Sequence, residues 1–332
     1  MLKKAACLLC LLALCLLCAA CGPGAVQTKA EEFHVVTDVR GDEVKIPAKP
    51  KRIVSVTTGT DEVLLGLVET ERMVAVNEAF VDPKRSNVTE LAEKIPNRII
   101  RNPSVETVAA LKPDLVLVQT WIPIEKVAAL RDLGIPVVAC KAPRNFAEVR
   151  DTVRLIAAAV DEKERGEKLV AMMDEELAAL MKRIEEVPKE KKGATVALVS
   201  IMPAYGGAGC MIDDVLSYAG ARNAKALAGN KNGEAMTKEQ FIACNPDYIF
   251  LPSYEDPASK EQQYGAEYMS DPSLQVMKAV RDGHVCYPWA HYIYNISQNV
   301  VFGAQEAAYI LYGDAFAQPK NRYLSAVPKS KM

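Results

Sequence analysis

The chain has 332 residues, half of them hydrophobic, with 25% charged and 6% aromatic. That composition excludes a disordered, collagen-like or low-complexity protein, and the length suffices for two domains with cores of their own. The formal net charge is −2, from 40 basic and 42 acidic side chains, with no block of like charge; a general nucleic-acid binder, usually basic with clustered Lys and Arg, is disfavoured.

In chain order, Lys3 and Lys4 precede an uncharged apolar run, Ala5 to Ala20. The run falls short of the ~20 apolar residues of a membrane span, and its basic start and small-residue end describe an export signal. The end, Leu17-Cys18-Ala19-Ala20-Cys21-Gly22, resembles a bacterial lipoprotein signal, in which Cys21 is lipidated and becomes the first mature residue. An ordinary cleaved signal or a poor membrane anchor is the alternative. The expectation is a signal peptide over 1–20, a flexible tether over 21–33, and attachment to the outer side of a membrane through lipid on Cys21. Of nine cysteines only Cys140, Cys210, Cys244 and Cys286 lie beyond this segment. None forms a C-x-x-C pair, so neither a zinc site nor a disulfide scaffold is suggested.

Phe33 to Ile46 reads as a hairpin turning at Arg40-Gly41-Asp42. Arg52 to Val56 is a short buried strand that leads through Thr57-Thr58-Gly59-Thr60 into a helix carrying Val63, Leu64 and Leu67. Extended and helical segments then alternate: Met73 to Val76, Ser104 to Leu111, Leu115 to Gln119, Ile124 to Leu133, Val137 to Ala139. Such alternation predicts α/β architecture with mostly parallel sheets covered on both faces. Asn145 opens a further helix. From Glu164 to Val187 the apolar residues 169, 173, 177, 180 and 184 form one stripe on a long helix, which Pro188 ends. Alternation resumes at Thr195 to Val199. The expected organisation is therefore an N-terminal lobe over 34–160, a bridging helix over 161–188 and a C-terminal lobe over 189–328.

The halves share a pattern. Glu106, Pro113-Asp114 and Trp121 recur as Glu239, Pro246-Asp247 and Tyr254, both E-x6-P-D-x6-aromatic. Each pattern spans a helix (Val105 to Leu111; Lys238 to Ala243), then a strand (Leu115 to Val118; Tyr248 to Leu251). In open α/β sheets, ligands sit beyond the carboxyl ends of the strands. Trp121 and Tyr254 fall just past those ends and are expected in a cleft between the lobes. A helix feeding a parallel strand runs opposite to it, so Glu106 and Glu239, near helix starts at Asn102-Pro103 and Thr237, lie on the same side. Without a partner, they would simply complement the helix dipole.

The ordered set Lys51-Arg52-Ile53-Val54-Ser55, Asn102-Pro103-Ser104-Val105-Glu106, Leu111-Lys112-Pro113-Asp114-Leu115-Val116, Leu133-Gly134-Ile135-Pro136-Val137, Ala219-Gly220-Ala221-Arg222-Asn223 and Glu239 through Asn245-Pro246-Asp247 resembles substrate-binding lipoproteins of ABC importers. The similarity is to the class whose two lobes are joined by one rigid helix and which serves iron–siderophore, haem and cobalamin uptake. It covers nearly all of residues 34 to 312. It implies a monomeric, non-enzymatic receptor without a resident cofactor. It also implies that Glu106 and Glu239, one per lobe, dock onto Arg residues of the permease dimer; Arg–carboxylate pairs fix register as well as attraction.

Cleft candidates from the first lobe are Thr57, Thr58, Phe80 and Trp121, with Arg98 or Arg101 near the rim. From the second they are Tyr205, in the glycine-rich turn Tyr205-Gly206-Gly207-Ala208-Gly209, then Tyr254, and His291, Tyr292, Tyr294 and Asn295 in an aromatic run outside any clear helical period. His34, His284 and His291 do not cluster, which disfavours a bare metal cage. All twelve tyrosines lie at or after Tyr205. Haem binders of this family typically supply an axial Tyr from the first lobe, so the resemblance disfavours haem. Aromatic and neutral polar groups dominate the set. They favour a neutral or weakly charged metal chelate or a corrinoid over a strongly anionic catecholate, which would want several Arg or Lys. Cobalamin or haem reception, oxyanion binding at helix N-termini, an extracellular enzyme and a surface adhesin, which the signals for lobes and a cleft argue against, remain the alternatives. For the enzyme there is no G-x-S-x-G, H-E-x-x-H or Walker loop, only Cys286 between His284 and His291.

Overall fold

The computed structural model describes residues 32–254, 260–328 and 330. The expected signal segment and most of the tether, Cys21 included, lie outside the described residues.

The first element is the expected hairpin. Strands β1 (Phe33–Thr37) and β2 (Glu43–Pro47) pair antiparallel, with Val36 opposite Val44. The Asp38 carboxylate accepts from the backbone N–H groups of Arg40 and Asp42, and Gly41 supplies the positive φ (87°) that the turn needs.

Two parallel sheets follow. In the first half, β3 (Ile53–Ser55), β6 (Leu115–Gln119) and β7 (Val137–Cys140) form a three-stranded sheet with β6 central. Strands β4 (Ala75–Asn77) and β5 (Asn97–Ile99) pair beside it, joined through a bridge between Ile53 and Met73. In the second half, β8 (Thr195–Leu198), β9 (Arg222–Asn223), β10 (Tyr248–Phe250) and β11 (Val285–Cys286) run parallel in the order β11-β10-β8-β9. The central strands are apolar along their length because both faces are covered. Alternate side chains feed different cores. Leu115 and Leu117 of β6 join Val196 and Leu198 of β8 in one core common to both halves. Val116 and Val118 enter a core private to the first lobe, and Ala197 and Val199 one private to the second.

The helices of six residues or more are α1 (Thr58–Leu67), α2 (Val105–Ala110), α3 (Ile124–Asp132), α4 (Phe146–Ala159), α5 (Lys163–Glu185), α6 (Met211–Tyr218), α7 (Lys238–Cys244), α8 (Lys260–Met269) and α9 (Val301–Tyr312). The long helix α5 buries Leu169, Met173, Leu177, Leu180 and Ile184, the stripe expected from sequence. At 1.5 Å per residue its 23 residues span about 34 Å. It packs against α1 and α4 from the first half and against α6 and α9 from the second. At Gly166 an added Cβ would stand 2.5 Å from the Ala157 Cβ, so this glycine sets how closely α5 approaches α4. The shared core makes α5 a welded spine rather than a free rod.

The chain's end tightens the weld. Ala326 N–H donates to Gly66 O (2.8 Å) and Leu324 N–H to the Asn299 side chain (2.8 Å). Asn87 of the first half donates to Arg322 O (2.7 Å). The last described residues of the expected second lobe thus pack against the first.

The repeated pattern acquires a structural meaning. Helix α2 ends into Lys112 (φ 49°) and α7 at Asn245 (φ 39°), both left-handed residues directly before the proline. The following aspartates then pin the neighbouring strand. Asp114 accepts from the backbone N–H groups of Lys51 and Arg52 (2.7 and 2.8 Å) at the entry to β3. Asp247 accepts from the N–H and hydroxyl of Thr195, both at 2.8 Å, at the start of β8.

Candidate ligand-binding cleft

The carboxyl ends of β3, β6, β8 and β10 open onto one cleft of about 380 Å³. Of the sequence candidates, Thr57, Thr58, Phe80, Trp121, Tyr205, Tyr254, His291, Tyr294 and Asn295 line it. Trp121 and Tyr254, the equivalent ends of the repeat, share this space.

Each aromatic is held by local chemistry. The Trp121 indole N–H donates to Gln119 Oε1 at 2.9 Å, and the Arg101 guanidinium lies over the ring at 4.8 Å. Arg85 lies over the Tyr254 ring at 5.0 Å. Tyr205 and Tyr294 stand 6.0 Å apart, and the Tyr294 hydroxyl donates to Ser200 Oγ at 3.0 Å. Burial raises all three phenols, Tyr254 to about 12 and Tyr205 and Tyr294 further. At neutral pH they therefore present O–H groups, not phenolates. The Thr57 hydroxyl is spent on Thr60 (2.6 Å), while Thr58 opens α1.

The cleft floor is a buried inter-lobe network. Glu62, on α1, places Oε1 2.8 Å from His291 Nε2. Its Oε2 accepts from Asn295 Nδ2 (2.7 Å), Asn299 Nδ2 (3.1 Å) and the Ser297 hydroxyl, and its carbonyl from Gln298 Nε2 (2.8 Å). Burial alone pushes the carboxyl up, but His291 and these donors outweigh it and hold Glu62 below the usual range. Neighbouring Asp61 is fully buried and accepts from Asn77 N–H (3.1 Å); burial pushes its carboxyl well above that range, although Asn77 and Ser55 pull it down.

Tyr292 is a correction. It is fully buried, stacks edge-on against Trp289 (4.7 Å between centroids) and donates to Lys320 O at 2.8 Å. The reason is that Ala290–Ile293 forms one helical turn. His291 and Tyr294 stand three residues apart on the cleft side, and Tyr292 faces the core. Arg98 also turns away, toward the carbonyls of Ile95 and Asn97. Arg101, expected at the rim, lines the cleft.

Glu62, Arg85, Gln119, Met202 and Glu261 line the cleft without having been foreseen. Gln119 carried a readable signal, a polar residue closing an otherwise apolar strand. Glu62 carried none, because an acidic residue following Asp61 near the start of a helix reads as part of the dipole complement. Among the described residues, no group of three or more His, Cys, Asp or Glu is placed to hold a metal ion.

Glu106 and Glu239 are exposed in the first turns of α2 and α7. Each carboxyl is held below its usual value by its own backbone N–H and by the cap hydroxyl, Ser104 or Thr237. Ser104, rather than the Asn102-Pro103 step, caps α2.

Two α/β lobes with a common core, a spine helix and a cleft at the strand tips define a two-lobed binding protein. Residues 53–288 match the family model described as periplasmic binding protein, and the chain belongs to that family. It is 25% identical over 296 residues to the uncharacterized ABC transporter substrate-binding lipoprotein YvrC of Bacillus subtilis, covering 87% of this chain and 89% of that one. Among solved structures it is similar to the molybdate-binding protein MolA of Haemophilus influenzae, with a TM-score of 0.68 at 22% identity over 84% of this chain and 91% of that one. The periplasmic heme-binding protein RhuT of Roseiflexus sp. RS-1 gives a TM-score of 0.65 at 22% identity, covering 79% and 98%.

Proposed function

We propose that this chain is the extracytoplasmic substrate-binding component of an ABC importer. It acts as a monomer anchored through lipid on Cys21, captures a metal–organic chelate of the iron–siderophore type between its lobes and hands it to the membrane permease. The observation that carries the reading is that equivalent positions of the two lobes, Trp121 and Tyr254, line one cleft. Its volume lies within the ~300–1,000 Å³ usual for sites that enclose an organic ligand. Aromatic faces and phenol O–H groups suit a bulky chelate. The welded lobes suit a preorganised cleft, which lowers the ordering cost of binding. Glu106 and Glu239, one per lobe, serve as docking carboxylates for permease arginines.

Thermal-shift screening of the mature chain against ferric chelates, corrinoids and haemin tests the capture step, since a ligand that binds only the folded state raises Tm. Glu106→Ala and Glu239→Ala are expected to abolish uptake by cells while leaving the Kd for the responding ligand unchanged. A loss of affinity in either variant would move these carboxylates out of the docking role, and turnover of a responding compound would overturn the receptor reading.

A further inference from the structure

The charges around the cleft are unequally employed. Glu62 is fully engaged by His291, Asn295, Ser297 and Asn299 and has no oxygen to spare. Two guanidiniums are in the opposite condition. Among the described residues, Arg85 and Arg101 alone of the arginines make neither a hydrogen bond nor an ion pair through the side chain; their contacts are the ring faces of Tyr254 and Trp121. Every other described arginine is partnered, by carboxylates as at Arg131, Arg144, Arg150, Arg154, Arg165 and Arg322, or by backbone carbonyls as at Arg52, Arg98, Arg222 and Arg281. Both unpartnered groups line the same cavity.

Stacking on a ring fixes the plane of a guanidinium and leaves its in-plane N–H donors free. Such a fork matches carboxylate oxygens two at a time, a geometry that a lysine cannot offer. Against these two cations the cleft sets one carboxylate that makes no ion pair among the described residues, Glu261 on α8. Among the described residues of the cleft, the cations without an ion pair thus outnumber the carboxylates without one by two to one.

We infer that the ligand of this cleft is an anionic metal chelate bearing outward carboxylate groups, taken by Arg85 and Arg101, while Trp121, Tyr205 and Tyr254 cover its less polar surface. This rests on the chelate-capture reading and sharpens it. It also reverses the leaning toward a neutral cargo drawn from the sequence.

The test is quenching of intrinsic tryptophan fluorescence in the mature chain by three probes. These are haemin, a flat iron chelate with two carboxylates; ferric citrate, a carboxylate chelate that is not flat; and ferrichrome, an uncharged ferric trihydroxamate. The expected result is saturable binding of haemin or ferric citrate, whichever fits, with ferrichrome at least ten-fold weaker. Arg85→Met and Arg101→Met remove the charge and keep an unbranched apolar side chain at each position. Each is expected to weaken the carboxylate probe by roughly ten-fold or more, as for a lost charged hydrogen bond, without changing Tm by more than a few degrees. Binding should also fall with added salt. Ferrichrome binding as tightly as the carboxylate probes, or undiminished binding by both Met variants, would overturn the inference and leave the chelate-capture reading standing. Failure of all three probes would bring down both.

Discussion

In the first lobe, the segment from Glu106 to Trp121 runs from an exposed carboxylate, through a left-handed residue before Pro113, to a ring at the cleft. In the second, Glu239 to Tyr254 repeats the course. What holds the frame is alike in both: a hydroxyl at the helix start, a positive-φ helix end, an aspartate that pins the adjacent strand. What faces the cleft is not alike. The first lobe supplies both unpartnered guanidiniums and no tyrosine; the second supplies Tyr205, Tyr254, Tyr294 and His291. The frame obeys backbone geometry, which admits few solutions. The tips are free to differ, and the chemistry of the cargo is divided between them.

The comparison breaks most severely at Glu62, where the two lobes are tied by one carboxylate. Glu62→Gln puts an amide N–H₂ among donors and leaves the His291 side unmatched. The expected loss is about 3–5 kcal/mol, as for other buried pairs deprived of one partner, a large share of the ~5–15 kcal/mol typical of a folded protein. Chemical denaturation at pH 7 measures it. Because the folded Glu62 carboxyl is depressed, its contribution is present above the ordinary carboxylate range and is lost as pH falls through the folded value. The gap between wild type and variant should therefore narrow in acid. Asp61 has the opposite sign: its folded carboxyl is raised, so its contribution is present at low pH and is lost as pH rises. An unfolding curve for Glu62→Gln that parallels wild type, with the gap constant at every pH, would remove Glu62 from the weld.

A smaller difference separates the two aspartates. Asp114→Ala forfeits two backbone N–H bonds at the entry to β3 and is expected to cost about 1–2 kcal/mol. Asp247→Ala forfeits the Thr195 N–H, the Thr195 hydroxyl and the Lys278 pair at 3.1 Å, and should cost more, about 2–3 kcal/mol. Equal losses in denaturant melts would mean that the lobes are pinned by the backbone bonds alone.

Much of the frame was legible because period and punctuation are local. The hairpin, the α5 stripe and the repeat each follow from neighbours in sequence. The same holds for nine cleft residues, which sit at strand ends or in an aromatic run. Tyr292 was misplaced because one helical turn gives no periodicity to read, so a core tyrosine looked like its cleft neighbours. Glu62 and Arg85 were invisible for a different reason. Their meaning depends on partners far along the chain, at 291–299 and at Tyr254. That Arg85 and Arg101 make no side-chain hydrogen bond or ion pair among the described residues is likewise a property of the folded state that no local pattern encodes.

The finest comparison lies at the helix starts beneath Glu106 and Glu239, the two carboxylates proposed for docking. In α2 the Ser104 hydroxyl accepts from Thr107 N–H at 3.2 Å, a single cap. In α7 the Thr237 hydroxyl accepts from Gln240 N–H at 3.2 Å, and Gln240 Oε1 accepts in return from Thr237 N–H at 2.8 Å, a reciprocal box. Ser104→Ala removes the whole of its cap and should cost about 1 kcal/mol; Thr237→Ala leaves the return bond in place and should cost somewhat less. In both variants the nearby carboxyl, Glu106 or Glu239, loses one of the groups that lowers it and should titrate higher, which carbon-detected NMR of the glutamates can follow. Both carboxylates stay ionised at neutral pH, so uptake should persist. Uptake lost in Ser104→Ala but kept in Thr237→Ala would show that the cap hydroxyl of the first lobe aims its carboxylate as well as starting its helix.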